Sequence, residues 1–213
     1  MINSRSSSSS RKRPDASREW YLVKTYDPLL VPGLFQTDDY ARAVIRAHNP
    51  DWDREEIERK VELRLQRTRL LDDTSGPKIW AIIGEAALRT SVGSADTMVR
   101  QLLHLLAMAD HPRATVQVLP FSAGAHAGME GCFAVLEYAD LEDSTVAYMD
   151  RPAGSSWVEK PNEVDRVSLV FNHIQAAASP VDESAETIRK ILSEMGDDRA
   201  DVAQVEPERQ RQR

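Results

Sequence analysis

The residues of this chain best suited to chemistry lie in one segment, 120–131, which reads PFSAGAHAGMEG. Three glycines and several small residues there surround His126 and Glu130, in a long link between two β-rich runs. An imidazole titrates near neutrality and a carboxylate can hold its tautomer or take its proton. His126 and Glu130 therefore make an acid/base pair if the fold brings them together. Backbone at glycine can also approach a ligand closely, and links of this kind on a rigid sheet are where ligands are often met. On a binding reading the segment contributes Phe121, His126 and Glu130. A flexible connection with exposed polar residues is the simpler alternative.

Three further polar residues stand on or just after β-rich runs. Glu137 alternates with Phe133 and Val135 and so shares their face, while Asp150 and Arg151 follow the next run. Under the acid/base reading Asp150 joins His126 and Glu130; under the binding reading Glu137 and Arg151 join the ligand set. A solvent-facing edge is the simpler explanation and is favoured. Glu85 and Arg89, four residues apart, predict a structural ion pair. Cys132 reads as a small core residue. The five histidines, His48, His104, His111, His126 and His173, are scattered, and HExxH, GxSxG, CxxC and a phosphate-cradling glycine loop are all missing from the sequence. No metal site and no cofactor are expected.

The elements that must position these residues follow from periodicity and stop signals. Thr37 offers an N-cap to a helix reaching about His48, with Tyr40, Ala41, Val44 and Ile45 inward and Asn49-Pro50 ending it. Asp51 or Asp53 caps a second helix toward Leu71, with Ile57, Val61 and Leu65 at four-residue steps. Its basic residues alternate with glutamates, so a self-neutralised, solvated face is favoured over an anion grip. KIWAII (78–83) predicts a buried strand, and Ser94 or Asp96 opens a helix to Ala109 with Met98, Leu102 and Leu105 on its apolar stripe. ATVQVL (114–119), GCFAVLEY (131–138) and TVAYMD (145–150) alternate as strands do, and 155–160 around Trp157 adds another. Antiparallel hairpins are expected among them. Asn162 caps a helix carrying Val167, Val170, Phe171 and Ile174, and Ser179-Pro180 starts a last helix that Gly196 is expected to stop. The result is an α+β fold: N-terminal helices, a central largely antiparallel sheet of about four or five strands, and C-terminal helices.

Composition bounds the rest. The 213 residues carry 27 Lys and Arg against 34 Asp and Glu, a net charge of −7, with one cysteine. A chain of this size is expected to fold as one domain over 20–195, between a Ser/Arg-rich tail (1–19) and a polar tail (196–213), both without a core to offset chain entropy. One cysteine excludes a disulfide framework and points to a reducing cytoplasm. The acidic balance argues against general affinity for phosphate, and no apolar run is long enough for a membrane span.

Several segments together resemble one family. They are LLVPGLFQTDDYARAVI (29–45), EIERKVELRLQRTRLL (56–71), GEAALRTSVG (84–93), 98–138 with its QVLPF and glycine link, and 159–184. They look like the effector-like C-terminal domain of actinobacterial XRE-type helix-turn-helix regulators, a domain without an assigned function and often treated as antitoxin-like. Members carry a helix-turn-helix module ahead of the VPGL-type segment. The residues before Val31 here are half a Ser/Arg tail, so that module is expected to be absent, and direct DNA binding with it. AYMDRP (147–152) stands where relatives tend to place a Tyr-x-Glu pair.

Two functions of different class follow from the resemblance. One is a stand-alone module that binds a small-molecule ligand or a small partner protein within a regulatory system, with homodimerisation left open. The other is a small acid/base enzyme, for example a cyclase, recruited from that domain into a specialised-metabolite pathway.

Overall fold

The computed structural model describes residues 20–68, 71, 76–138, 145–149 and 154–211, with side chains up to 196. The chain enters through a strand that the sequence reading did not assign, β1 (Trp20–Asp27). Its residues, WYLVKTYD, are mostly β-branched or aromatic, which suits a pleated and half-buried position. A 3-10 turn at Gly33–Phe35 leads to α1 (Asp38–His48), and α2 (Arg54–Thr68) follows. Then come β2 (Lys78–Gly84), α3 (Glu85–Arg89), α4 (Ala95–Ala109) and β3 (Ala114–Leu119). The second half supplies β4 (Phe133–Tyr138), β5 (Val146–Met149), β6 (Ser156–Val158), α5 (Pro161–Ala177) and α6 (Val181–Arg211).

The strands form one mixed sheet in the order β3-β2-β1-β4-β5-β6. β2 lies parallel to both β1 and β3, whereas β4 runs antiparallel to β1, β5 to β4 and β6 to β5. The fold is α+β, with helices on both faces of the sheet. One expectation needs correcting: β3 and β4 are not a hairpin. β4 pairs with β1 instead, with Tyr26 opposite Phe133, so the link 120–132 must pass over the ends of β2 and β1.

Alternation along the strands sorts the core into two layers. On one face Val23, Ile79, Ala81, Ile83, Val116, Val118 and Leu136 pack with Tyr40 and Val44 of α1, Leu88 of α3, Leu102 and Leu105 of α4 and Ile188 of α6. On the other face Tyr26, Ile82, Leu119, Phe133, Val135 and Ala147 meet Phe171 and Ile174 of α5. α2 sits outside this, its Ile57 and Val61 packed on Ile45 of α1. Each large side chain so buried is worth about 1.5–3 kcal/mol, against about 1 kcal/mol at most for an exposed ion pair. The cluster of Arg42 with Glu58, Asp38 and Asp39 therefore fastens α1 to α2 without carrying the fold.

Local signals are met in altered ways. Asp53 and Glu56 close a reciprocal capping box on α2, each backbone N–H donating to the other's carboxylate at 3.1 and 2.8 Å. The Thr37 hydroxyl, expected to cap α1, instead donates to Gln101 Oε1 at 3.2 Å. α6 continues past Gly196, where a stop was expected. A glycine ends a helix when it turns left-handed, and Gly196 is not among the positive-φ glycines. Cys132 is half-buried just ahead of β4 rather than within the core. The expected N-terminal tail (1–19) lies outside the described residues.

The edge of β3 is fastened rather than bare. Val118 N–H donates to the Ser184 hydroxyl at 2.9 Å, and Ser179 N–H donates to the Val118 carbonyl at 2.9 Å. Inside the helical layer Gln101 is wholly buried; its Oε1 accepts from Thr37 N–H at 2.8 Å and its Nε2 donates to the Phe35 carbonyl at 2.7 Å. Gln101→Leu keeps the volume but strands both backbone groups. It is expected to cost about 2–4 kcal/mol, read as a lower urea midpoint at unchanged slope.

Candidate functional site

The link 120–132 crosses the end of the sheet where the parallel strands finish. Three inter-strand spacings separate β3 from β4, about 14 Å, which far fewer residues would span if extended. The slack is taken up by local structure: a 3-10 turn at Phe121–Ala123, then a turn at 127–130 closed by Gly131 N–H donating to the Gly128 carbonyl at 3.4 Å. Gly124 (φ 62°) and Gly131 (φ 129°) bracket that turn in backbone conformations other residues rarely adopt.

The link is fixed at two points. At its start, Phe121 N–H donates to Glu85 Oε2 at 3.0 Å. Glu85 Oε1 accepts from Arg89 Nε at 2.8 Å, and Arg89 also reaches Glu194 of α6 at 2.7 Å. The expected Glu85–Arg89 pair is thus present, and it anchors the link as well. In its middle, Gly128 lies flat on the second core layer: a Cβ there would come within 2.5 Å of both Tyr26 Cε1 and Ile174 Cδ1. Only glycine permits that approach. His126 stands edge-on to the Tyr26 ring, 5.9 Å between centroids, and its Nδ1 accepts from Gly128 N–H at 3.1 Å.

Tyr26 is the residue sequence reasoning missed. It is the last residue but one of β1, is 1% exposed, and its hydroxyl has no hydrogen-bond partner among the described residues. Burial, helped by the neighbouring charge of Asp27, pushes its pKa up to about 12. Its own strand carried the signal, since Trp20, Tyr21, Val23, Thr25 and Tyr26 are β-formers in close succession.

The other expected residues separate into groups. Phe121 and Glu130 are exposed on the link, and the hydrogen bonds of His126 engage the loop backbone rather than Glu130. Glu137 shares the face of Phe133 and Val135, as its spacing implied, but it lies opposite Leu22, four strand positions from Tyr26, about 13 Å away. There it pairs with Lys24 at 2.6 Å, half-buried, and does not join the link. Asp150 and Arg151 lie outside the described residues. Among the described residues no group of three His, Cys, Asp or Glu is placed to hold a metal, and no helix is long and apolar enough to cross a membrane. A shallow groove of about 160 Å³ between α1 and α2 is lined by His48, Trp52, Lys60 and Arg64 and by no residue of the link.

Residues 22–190 match the family model described as a domain of unknown function, DUF5753. The chain belongs to the DUF5753 family. The match begins inside β1 and ends inside α6, so the DUF5753 unit takes in the whole sheet and the link over its end. Neither a curated protein nor a solved structure matches the chain.

One titration bears on the link of this DUF5753 domain. Burial acts to raise the Glu85 carboxyl, but the Phe121 N–H bond and the bonds and charge of Arg89 outweigh it, and the net shift is downward from 4.5. A depressed folded value contributes stability that is complete above the unfolded pKa and lost as pH falls through the folded one. Between pH 7 and 3 the urea midpoint of Glu85→Gln should consequently fall less steeply than that of the wild type. Parallel curves would show that Glu85 does not anchor the link through its charge.

Proposed function

We propose that this DUF5753 chain is a binding module whose recognition end is the link-covered end of the sheet. The observation that carries this is the exposure of three large apolar side chains there. Leu29, two residues past β1, is 64% exposed; Phe121, two past β3, is 62%; Met129, beside Gly128 over Tyr26, is 70%. Single exposed apolar residues are ordinary, but three at one end of the sheet, two of them on the clamped link, offer side chains suited to a partner. Asp27 supports it from below, its Oδ1 accepting from the N–H groups of Leu29 and Leu30 at 3.2 and 3.0 Å.

The segmental resemblance to the effector-like domain of XRE-type helix-turn-helix regulators supports a regulatory setting in the cytoplasm. In such a setting the bound species is a small partner protein or a small molecule. The net charge of −7 favours a partner other than nucleic acid. The acid/base alternative draws no support from the contacts of His126, whose Nδ1 is occupied by Gly128 N–H.

The test is a comparison of variants. A partner retained from the native cell is purified and recombined with the wild type, with the double variant Phe121→Ser/Met129→Ser, and with Leu169→Ser on exposed α5. The double variant is expected to bind at least about ten-fold more weakly, as loss of an apolar anchor does, while Leu169→Ser binds as the wild type. Equal binding by all three would place recognition elsewhere.

A further inference from the structure

The Tyr26 hydroxyl sets a problem that packing does not solve. It is buried in a layer of Ile82, Leu119, Phe133, Phe171 and Ile174, without a partner among the described residues. A buried hydroxyl left unmatched costs about 1–3 kcal/mol, and phenylalanine would fill the same space without that cost. The group is a donor held in apolar surroundings. It lies near the carboxyl end of β1, between the 28–35 segment on the α1 side and the link 120–132 on the α5 side.

Two parts of the link cover Tyr26. Gly128 and the edge of His126 are the parts of the link that touch its ring. The turn carrying them is bracketed by Gly124 and Gly131, around whose α-carbons a side chain would find open space within 4 Å. Beyond the clamp at Phe121, these two glycines flank His126, Gly128, Met129 and Glu130, and an opened state would give up the contact of Gly128 with the core.

We propose that the segment Gly124–Gly131 is a flap over a ligand site, and that the ligand is an apolar molecule bearing a single hydrogen-bond acceptor, such as a ketone or ester carbonyl, which takes the Tyr26 hydroxyl. The class follows from the lining. Apolar walls exclude a charged or many-hydroxyl compound, because each unmatched polar group would carry its own desolvation cost. One donor at the floor rewards one acceptor. The inference rests on the binding reading above and names the class of ligand for that end of the sheet.

The full chain is titrated with prodan, a naphthalene ketone whose emission shifts to the blue in apolar surroundings, and with 2-(dimethylamino)naphthalene, which lacks the ketone. Wild type is expected to bind prodan saturably and more tightly than the ketone-free compound. Tyr26→Phe should bind prodan about five- to ten-fold more weakly than the wild type, the worth of one hydrogen bond, and the ketone-free compound as the wild type does, while its urea midpoint stays level or rises, which separates a lost handle from a lost fold. No saturable prodan binding by the wild type, or equal prodan affinity in wild type and Tyr26→Phe, overturns the proposal. Either result leaves the Phe121/Met129 comparison intact, and loss of partner binding in that double variant alone would retain the surface while removing the flap site.

Discussion

Strand β1 is hydrogen-bonded along both edges, and its two neighbours run in opposite senses. Much of the architecture is a consequence of that seam. A parallel neighbour needs a crossover, and right-handed crossovers that step in one direction, β1 to β2 to β3, place their helices on one face. α1, α3 and α4 accordingly crowd that face with α6, and α5 alone packs on the other. The antiparallel half needs no helices between its strands and is finished by β5 and β6.

The same seam explains the link. By stepping outward twice, the chain reaches β3 at the edge of the sheet and must return past β2 and β1 to begin β4. A long connection is therefore demanded by topology, and length by itself is no sign of function. What topology does not demand is the chemistry of the link: a glycine seated on a tyrosine ring, a histidine fixed by its own loop, and a phenylalanine and a methionine turned to solvent. Those particulars, rather than the span, single out this end of the molecule.

Much of the fold was legible because its elements are short and carry strong local signals. The apolar spacing of α4, the β-branched run of β2, the alternation in β4 and the Ser179-Pro180 start of α6 all read correctly, since local propensity and burial agree there. β1 carries no apolar/polar alternation, because its two buried residues, Val23 and Tyr26, face opposite core layers. Missing β1 hid both the parallel half of the sheet and Tyr26. Strand partners are non-local facts: nothing in 114–119 or 131–138 states that they pair elsewhere rather than with each other. In the site, His126 and the glycines were visible by residue type. The Tyr26 hydroxyl was not, because a tyrosine without a partner differs from a satisfied one only in three dimensions.

The fastening of Val118 has a bearing on how other chains can join this one. A guest strand laid beside β3 would need the outward N–H and C=O of Val118, and Ser184 and Ser179 already hold both. At the opposite margin, β6 offers three residues, too short a rail for stable pairing. Recognition by backbone zippering is thereby discouraged at both margins, which also guards the sheet against runaway edge-to-edge stacking. On the proposed reading, a partner is selected by side-chain chemistry at the crest of the sheet rather than by pairing with a free backbone edge.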